Sequence, residues 1–194
     1  MIDLDPPFRL ATPDDAPALA VLVNEAGHGL PLHLWTTWAA PGEDPWEIGR
    51  ARQAEKAAAG RIVVADEGAG VLASLTGYVA AQEEIDADTP DLFVPLIELE
   101  NEVPGSWYVN VLATLPEARG RGLGAALLNV AERIAEGERC GRMSVIVADD
   151  NAGARRLYER QGYDETARRA CVRGGWRTGT RDWVLMEKAL SARP

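Results

Sequence analysis

The sequence predicts a mixed α/β (α+β) domain with a mostly antiparallel sheet, a central parallel βαβ unit and helices on both faces. Three observations lead there. The segment Ser106–Ala113 reads as a strand, Leu123–Ala135 as an amphipathic helix and Met143–Ala148 as a strand. A crossover of that length joins parallel neighbours. Two β-rich runs, Arg61–Ala65 and Val71–Ala81, flank Glu67-Gly68-Ala69-Gly70 and so form an antiparallel hairpin. No repeat or linker interrupts the 194 residues, which gives one domain over residues 1–194.

In chain order, Phe8–Ala11 is a short strand that runs into Thr12-Pro13-Asp14-Asp15. Thr12 suits an N-cap, Pro13 a first helical turn, and the two acids the positive helix end. Ala16, Leu19, Ala20, Leu22 and Val23 follow as an apolar stripe at helical spacing. Gly27–Trp46 is rich in Gly, Pro and Trp and reads as a loop able to wall a pocket with His28, Trp35, Trp38 and Trp46. Trp46–Ala59 is a second helix and Pro95–Val103 a third, with Leu96, Leu99 and Val103 on one side. In Leu123–Ala135 the stripe is Leu123, Leu127, Val130, Ala131 and Ile134. Ala152–Gln161 is a helix stopped by Gly162, and strands at Tyr163–Val172 and Asp182–Lys188 close the chain.

A formal net charge of -10 argues against a general nucleic-acid binder, because a phosphate backbone demands a basic face. The longest apolar stretch, Ala16–Val23, is too short to span a bilayer, and the acidic opening MIDLDPP lacks the features of a secretory signal. The expected location is therefore cytoplasmic. Cys140 and Cys171 are far apart and read as small core residues. With only His28 and His33 as histidines, no zinc site is expected. Against this acidic background Arg119, Arg121, Arg155, Arg156 and Arg160 crowd together, which suits a small phosphorylated ligand. The plain alternative is a set of solvated helix charges.

The most informative stretch is Leu112-Ala-Thr-Leu-Pro-Glu-Ala-Arg-Gly-Arg-Gly-Leu-Gly-Ala-Ala-Leu127. A strand ends, a proline breaks the ladder, and three alternating glycines open a long helix. Unpaired N–H groups and partial positive charge at a helix start suit a pyrophosphate. Glycines let the backbone approach it, and Arg119 and Arg121 add charge. Gly120, Gly122 and Ala125 also satisfy a dinucleotide fingerprint, with Asp149 near the end of the next strand. That reading, a nucleotide-dependent oxidoreductase, suffers because Pro116-Glu117-Ala118 and Arg119 separate the glycines from the strand. An ordinary tight turn is the structural alternative.

Arg119-Gly120-Arg121-Gly122-Leu123-Gly124 resembles the acyl-CoA motif of the GNAT superfamily of N-acyltransferases, Arg/Gln-x-x-Gly-x-Gly/Ala. Asn151-Ala-Gly-Ala-Arg-Arg-Leu-Tyr158-Glu-Arg-Gln-Gly162-Tyr163 is similar to the family's second motif, and Phe8–Asp15 to its usual first strand and helix. Thr114 departs from the pattern, where an aliphatic residue is commoner.

The resemblance implies a GNAT-like fold and an N-acetyltransferase with acetyl-CoA as co-substrate. Backbone groups of Leu112, Ala113 and Thr114 would bind pantetheine and the acetyl carbonyl. Arg119, Gly120, Arg121, Gly122, Leu123 and Gly124 would hold the pyrophosphate, with Asn151 and Tyr158 contacting the arm. Tyr158 matches the family's general acid. A phenol near pKa ~10 protonating a thiolate near ~8.5 runs uphill by roughly 2 kcal/mol, so hydrogen bonding to sulfur is the safer role.

For the base, Glu83, Glu84, Glu98 and Glu100 are the candidates, and Glu98 is preferred because it sits among Leu96, Ile97 and Leu99. The alternative is a solvated acidic helix face. Asn110, inside an apolar strand, either orients the acceptor or is a satisfied core amide. The acceptor is expected to be a small-molecule or peptide amine, cationic in view of the net charge, with no membrane partner and room for a homodimer. A non-catalytic acyl-CoA-binding module on the same fold is the alternative function.

Overall fold

The computed structural model describes residues 4–190. Its elements are β1 (Phe8–Leu10), α1 (Ala16–Ala26), α2 (Leu30–Trp38), α3 (Pro45–Ala58), β2 (Ile62–Asp66), β3 (Val71–Val79), α4 (Val94–Glu100), β4 (Trp107–Thr114), α5 (Leu123–Gly137), β5 (Arg142–Ala148), α6 (Ala152–Arg160), β6 (Asp164–Ala170) and β7 (Asp182–Ala189). The strands form one mixed sheet in the order β1-β2-β3-β4-β5-β7-β6. β4 and β5 run parallel, with α5 between them in sequence, as the crossover demands. Among the described residues no helix is long and apolar enough to cross a membrane.

The chain divides into two compact units, each made of two stretches of chain. The single domain expected over residues 1–194 extends past the described residues at both ends. The first unit takes the chain up to Gly77 together with Val111–Leu128. Its hairpin pairs Val64 with Ser74, and β1 adds antiparallel to β2 with Arg9 opposite Val64. Alternation sends Val64 inward to a core with Leu19, Leu22, Ala57, Ile62, Val71 and Ala113. Leu19 and Leu22 are fully buried, and each contributes roughly 2 kcal/mol by leaving water. Arg9 ties the entry of the first helix to the hairpin, donating to Asp15 at 2.7 and 2.8 Å and to Asp66 at 2.8 Å.

The segment expected to be a loop over Gly27–Trp46 instead holds a helix, α2. Gly29 turns the chain at φ 89° and Pro31 fits the first helical turn, where its missing N–H costs nothing. The tryptophans follow suit. Trp35 is buried and packs edge-on against Trp46 with ring centroids 5.7 Å apart. Trp38 is half exposed, with the Arg52 guanidinium 4.9 Å from its ring centre. His28 lies in the preceding turn with φ 55°. Two of the three predicted wall tryptophans are thus spent on helix packing.

The second unit takes Tyr78–Asn110 and the chain from Asn129 onward. Trp107, Tyr108 and Val109 pair in parallel with Met143, Ser144 and Val145. β7 then pairs antiparallel with both β5 and β6. Val184 and Leu185 on β7 are fully buried, while β6 is largely exposed and charged, as an edge strand should be. Arg168 on β6 answers Glu165 at 2.5 Å and Asp182 at 3.2 Å. Inside, the Ser106 and Ser144 hydroxyls satisfy each other at 2.7 Å.

Candidate functional site

In the first unit, β4 ends at Thr114 and the chain makes a 3-10 turn over Pro116–Ala118. Ala113 is buried in that unit's core while Leu112 and Thr114 are half-buried, the alternation of a strand. Leu115 donates its N–H to the Leu72 carbonyl at 2.9 Å. Gly120 and Gly122 then adopt φ of 78° and 84°, conformations costly for any residue with a side chain. No protein atom comes within 4 Å of where a Cβ would stand at either position. The open side of the turn is bare backbone. Gly122 accepts from Ala126 at 3.0 Å, which starts α5 and leaves the first-turn N–H groups of Leu123 and Gly124 without a helical acceptor.

Arg119 is fastened to the turn that it follows. Its Nε donates to the Thr114 carbonyl at 3.2 Å and a terminal nitrogen to Glu25 at 2.6 Å. Arg121 pairs with Glu67. Both pairs are solvent-exposed, and such pairs contribute about 0–1 kcal/mol, so an anion of higher charge displaces the carboxylates at little cost. Open glycine backbone, a helix start and two exchangeable arginines fit a pyrophosphate.

In the second unit, Asn151 caps α6, its Oδ1 accepting from the Ala154 N–H at 3.1 Å. Two turns on, Tyr158 is 5% exposed, with its ring 5.6 Å from that of Tyr163 and tilted by 59°. Burial holds the Tyr158 phenol above its ordinary range, so the hydroxyl stays a donor.

The carboxylates separate clearly. Glu98, the residue preferred from sequence, is exposed and ion-paired with Arg169 at 3.0 Å; Arg169 also binds Glu102. Leu99, the next residue after Glu98, is fully buried, about 100° further round α4. Glu84 is exposed. Glu100 is half-buried and accepts from the Tyr78 hydroxyl on both oxygens, at 2.9 and 3.1 Å. Desolvation pushes the Glu100 carboxyl up, the Tyr78 hydrogen bond opposes that, and the Glu83 charge adds to it. Tyr78 is pushed up in turn by desolvation and by Glu100, while a hydrogen bond from Asn110 acts the other way. Asn110 is exposed on β4, so the core-amide alternative fails.

Two functional candidates escaped sequence reasoning, Tyr78 and Tyr108. Their rings lie 5.4 Å apart. Tyr108 is buried, and its phenol is raised first by burial, then by Glu100, Tyr78 and Tyr158. Tyr108 therefore lies within electrostatic reach of both Glu100 and Tyr158. Tyrosines in strands read as core, and the exposure of Tyr78 near the end of β3 is a feature of the fold alone.

The family model described as acetyltransferase (GNAT) family matches residues 31–163. The fold is similar to that of a ribosomal-protein-alanine N-acetyltransferase from Brucella melitensis, at TM-score 0.62 and 21% identity over 94% of this chain and 99% of that one. It is also similar to yncA of Salmonella typhimurium, solved with its cofactor acetyl-CoA, at TM-score 0.59 and 20% identity over 96% and 94% of the two chains. A third similar structure is a crystal structure of an acetyltransferase, at TM-score 0.62 and 19% identity over 95% and 99%.

Proposed function

Because the chain belongs to the GNAT acetyltransferase family, we propose that it moves an acetyl group from acetyl-CoA directly to an amine, with Glu100 as base. The observation that carries this reading is the Glu100–Tyr78 pair, set in the same compact unit as Tyr108 and Tyr158. A base must take a proton from an ammonium near pKa ~10, and a carboxylate near ~4.3 is far too weak unless desolvated. Glu100 meets that demand better than Glu98, whose charge is already matched by Arg169.

Each role follows from the residue's chemistry. Gly120, Gly122 and the first N–H groups of α5 hold the pyrophosphate, joined by Arg119 and Arg121. Backbone groups of Leu112–Thr114 pair with the pantetheine arm as an added strand, and an N–H there donates to the thioester oxygen as charge develops. Asn151 contacts the same arm while capping its helix. The ammonium gives one proton to Glu100 directly or through water, the free nitrogen attacks the carbonyl carbon, the carbon–sulfur bond breaks, and the new amide nitrogen sheds its second proton to solvent. Tyr158 donates a hydrogen bond to the departing thiolate. Its raised pKa makes full proton transfer costlier still, so solvent supplies the final proton. Glu83 and Glu100 favour a cationic acceptor, a small molecule or a peptide end.

The test is an acetylation screen over amines and peptides with wild-type protein, Glu100→Gln and Glu98→Gln. Glu100→Gln should lose most turnover with acetyl-CoA binding intact, and Glu98→Gln should keep it. The reverse result returns the base to Glu98. Tight acetyl-CoA binding with no turnover on any amine leaves a non-catalytic acyl-CoA-binding module.

A further inference from the structure

The carboxamide of Asn101, at the end of α4, meets both main-chain groups of Glu83. Its Oδ1 accepts from the Glu83 N–H at 2.8 Å and its Nδ2 donates to the Glu83 carbonyl at 2.8 Å. That is the two-point pattern of a β-ladder, made by one side chain. The Asn101 carbonyl accepts a third bond, from the Gln82 Nε2 at 2.8 Å. Just upstream, the Ala80 N–H donates to Ser106 and the Gly105 N–H to Ala80, each at 2.8 Å.

Residues 81–88 are exposed and form no helix or strand. An exposed coil carrying Glu83, Glu84, Asp86 and Asp88 repels itself and the nearby helix acids, so it needs a fastening to stay against α4. Asn101 directly follows Glu100 in the chain. The fastening point and the half-buried carboxylate are therefore neighbours in one helix end.

We propose that Asn101 is a positioning residue for the acceptor side: by pinning the main chain at Glu83 it fixes the Glu83 carboxylate beside the Glu100–Tyr78 pair. The consequence is electrostatic. A second negative charge kept nearby disfavours the Glu100 carboxylate and strengthens the pull on a cation. Tyr78 from β3 bonds Glu100 directly, and Glu83 of the pinned segment and Tyr108 of β4 lie within electrostatic reach of it. Arg169 of β6 is shared by Glu98 and Glu102, two carboxylates to one guanidinium, so that cluster keeps a net negative charge. The catalytic meaning of the device rests on Glu100 being the base, whereas its geometry does not.

The experiment is a carbon-13 NMR titration of the Glu100 carboxyl in the unliganded protein, for wild type, Asn101→Ala, Glu83→Gln and the double variant. Asn101→Ala should lower the Glu100 midpoint, Glu83→Gln should lower it too, and the double variant should go no further than Glu83→Gln alone. Asn101→Ser, whose hydroxyl is too short to bridge both main-chain groups, should behave as Asn101→Ala and guards against a folding defect. An Asn101→Ala midpoint equal to wild type while Glu83→Gln lowers it would overturn the proposal. So would a midpoint that Glu83→Gln leaves in place. Turnover of Glu100→Gln decides the separate question of the base.

Discussion

The Tyr78 hydroxyl donates to both carboxylate oxygens of Glu100, at 2.9 and 3.1 Å. The bond stabilises the charged form of a carboxylate that desolvation disfavours. Tyr78→Phe removes that support, so the Glu100 carboxyl must rise further. The acidic limb of kcat/KM against pH should then move to higher pH, because the base is competent only when deprotonated. A limb that stays in place or moves down removes Glu100 from the base role.

Gly122→Val should strongly weaken acetyl-CoA binding. At φ 84° a β-branched residue is strained, and its side chain fills the space that no protein atom occupies. Calorimetry should show affinity lost by at least about tenfold, an effect of order 1.4 kcal/mol, while circular dichroism keeps the native signal. Wild-type affinity would clear the glycine turn of any phosphate role.

For Tyr158→Phe, kcat should fall by about a hundredfold with little change in acetyl-CoA affinity. The hydroxyl acts only as charge gathers on sulfur, and losing one preorganised hydrogen bond to developing charge costs about 10²-fold or more. Single-turnover rates separate chemistry from release. If chemistry proceeds at the wild-type rate, the ring is there to pack against Tyr163.

Gly49→Ala sets two effects against each other inside α3. Alanine favours a helix over glycine by about 1 kcal/mol. A Cβ at Gly49, however, would lie 2.5 Å from the Trp35 ring, a clash with a buried and inflexible side chain. Overpacking of this kind costs about 1–3 kcal/mol, so the clash should win and the denaturation midpoint should drop. A raised midpoint would show that Trp35 yields freely.

Asp15 gives a pH-dependent stability. Arg9 holds its carboxyl down to about 2, below the ordinary value of 3.8. A depressed carboxyl stabilises the fold above its unfolded pKa, and that stability drains away as pH falls from about 4 to about 2. Arg9 is partly exposed, so about 1 kcal/mol is the expected size. Asp15→Asn should lose that amount at neutral pH and flatten the acid slope; an unchanged slope would place the acid sensitivity elsewhere.

What the chain decides by itself is everything carried by local periodicity and backbone chemistry. The hairpin at Glu67–Gly70, the crossover through α5, the Asn151 cap and the glycine turn after Thr114 each depend on residues a few positions apart. Their local preferences and the final fold agree, so they were legible. Helix α2 was not, because Gly29 and Pro31 are turn signals and helix-start signals alike, and only packing of Trp35 on Trp46 selects between them.

The choice between Glu98 and Glu100 lay further out of reach. The two are two residues apart on one short helix and chemically identical, and Glu98 is exposed although its neighbour Leu99 is buried. What separates them is distant in the chain: Arg169 on β6 pairs with one, while burial, the Tyr78 hydroxyl on β3 and the Glu83 charge act on the other. A carboxylate's strength is set by which charges and hydroxyls the fold brings within a few ångströms of it, and that is a property of the tertiary structure alone.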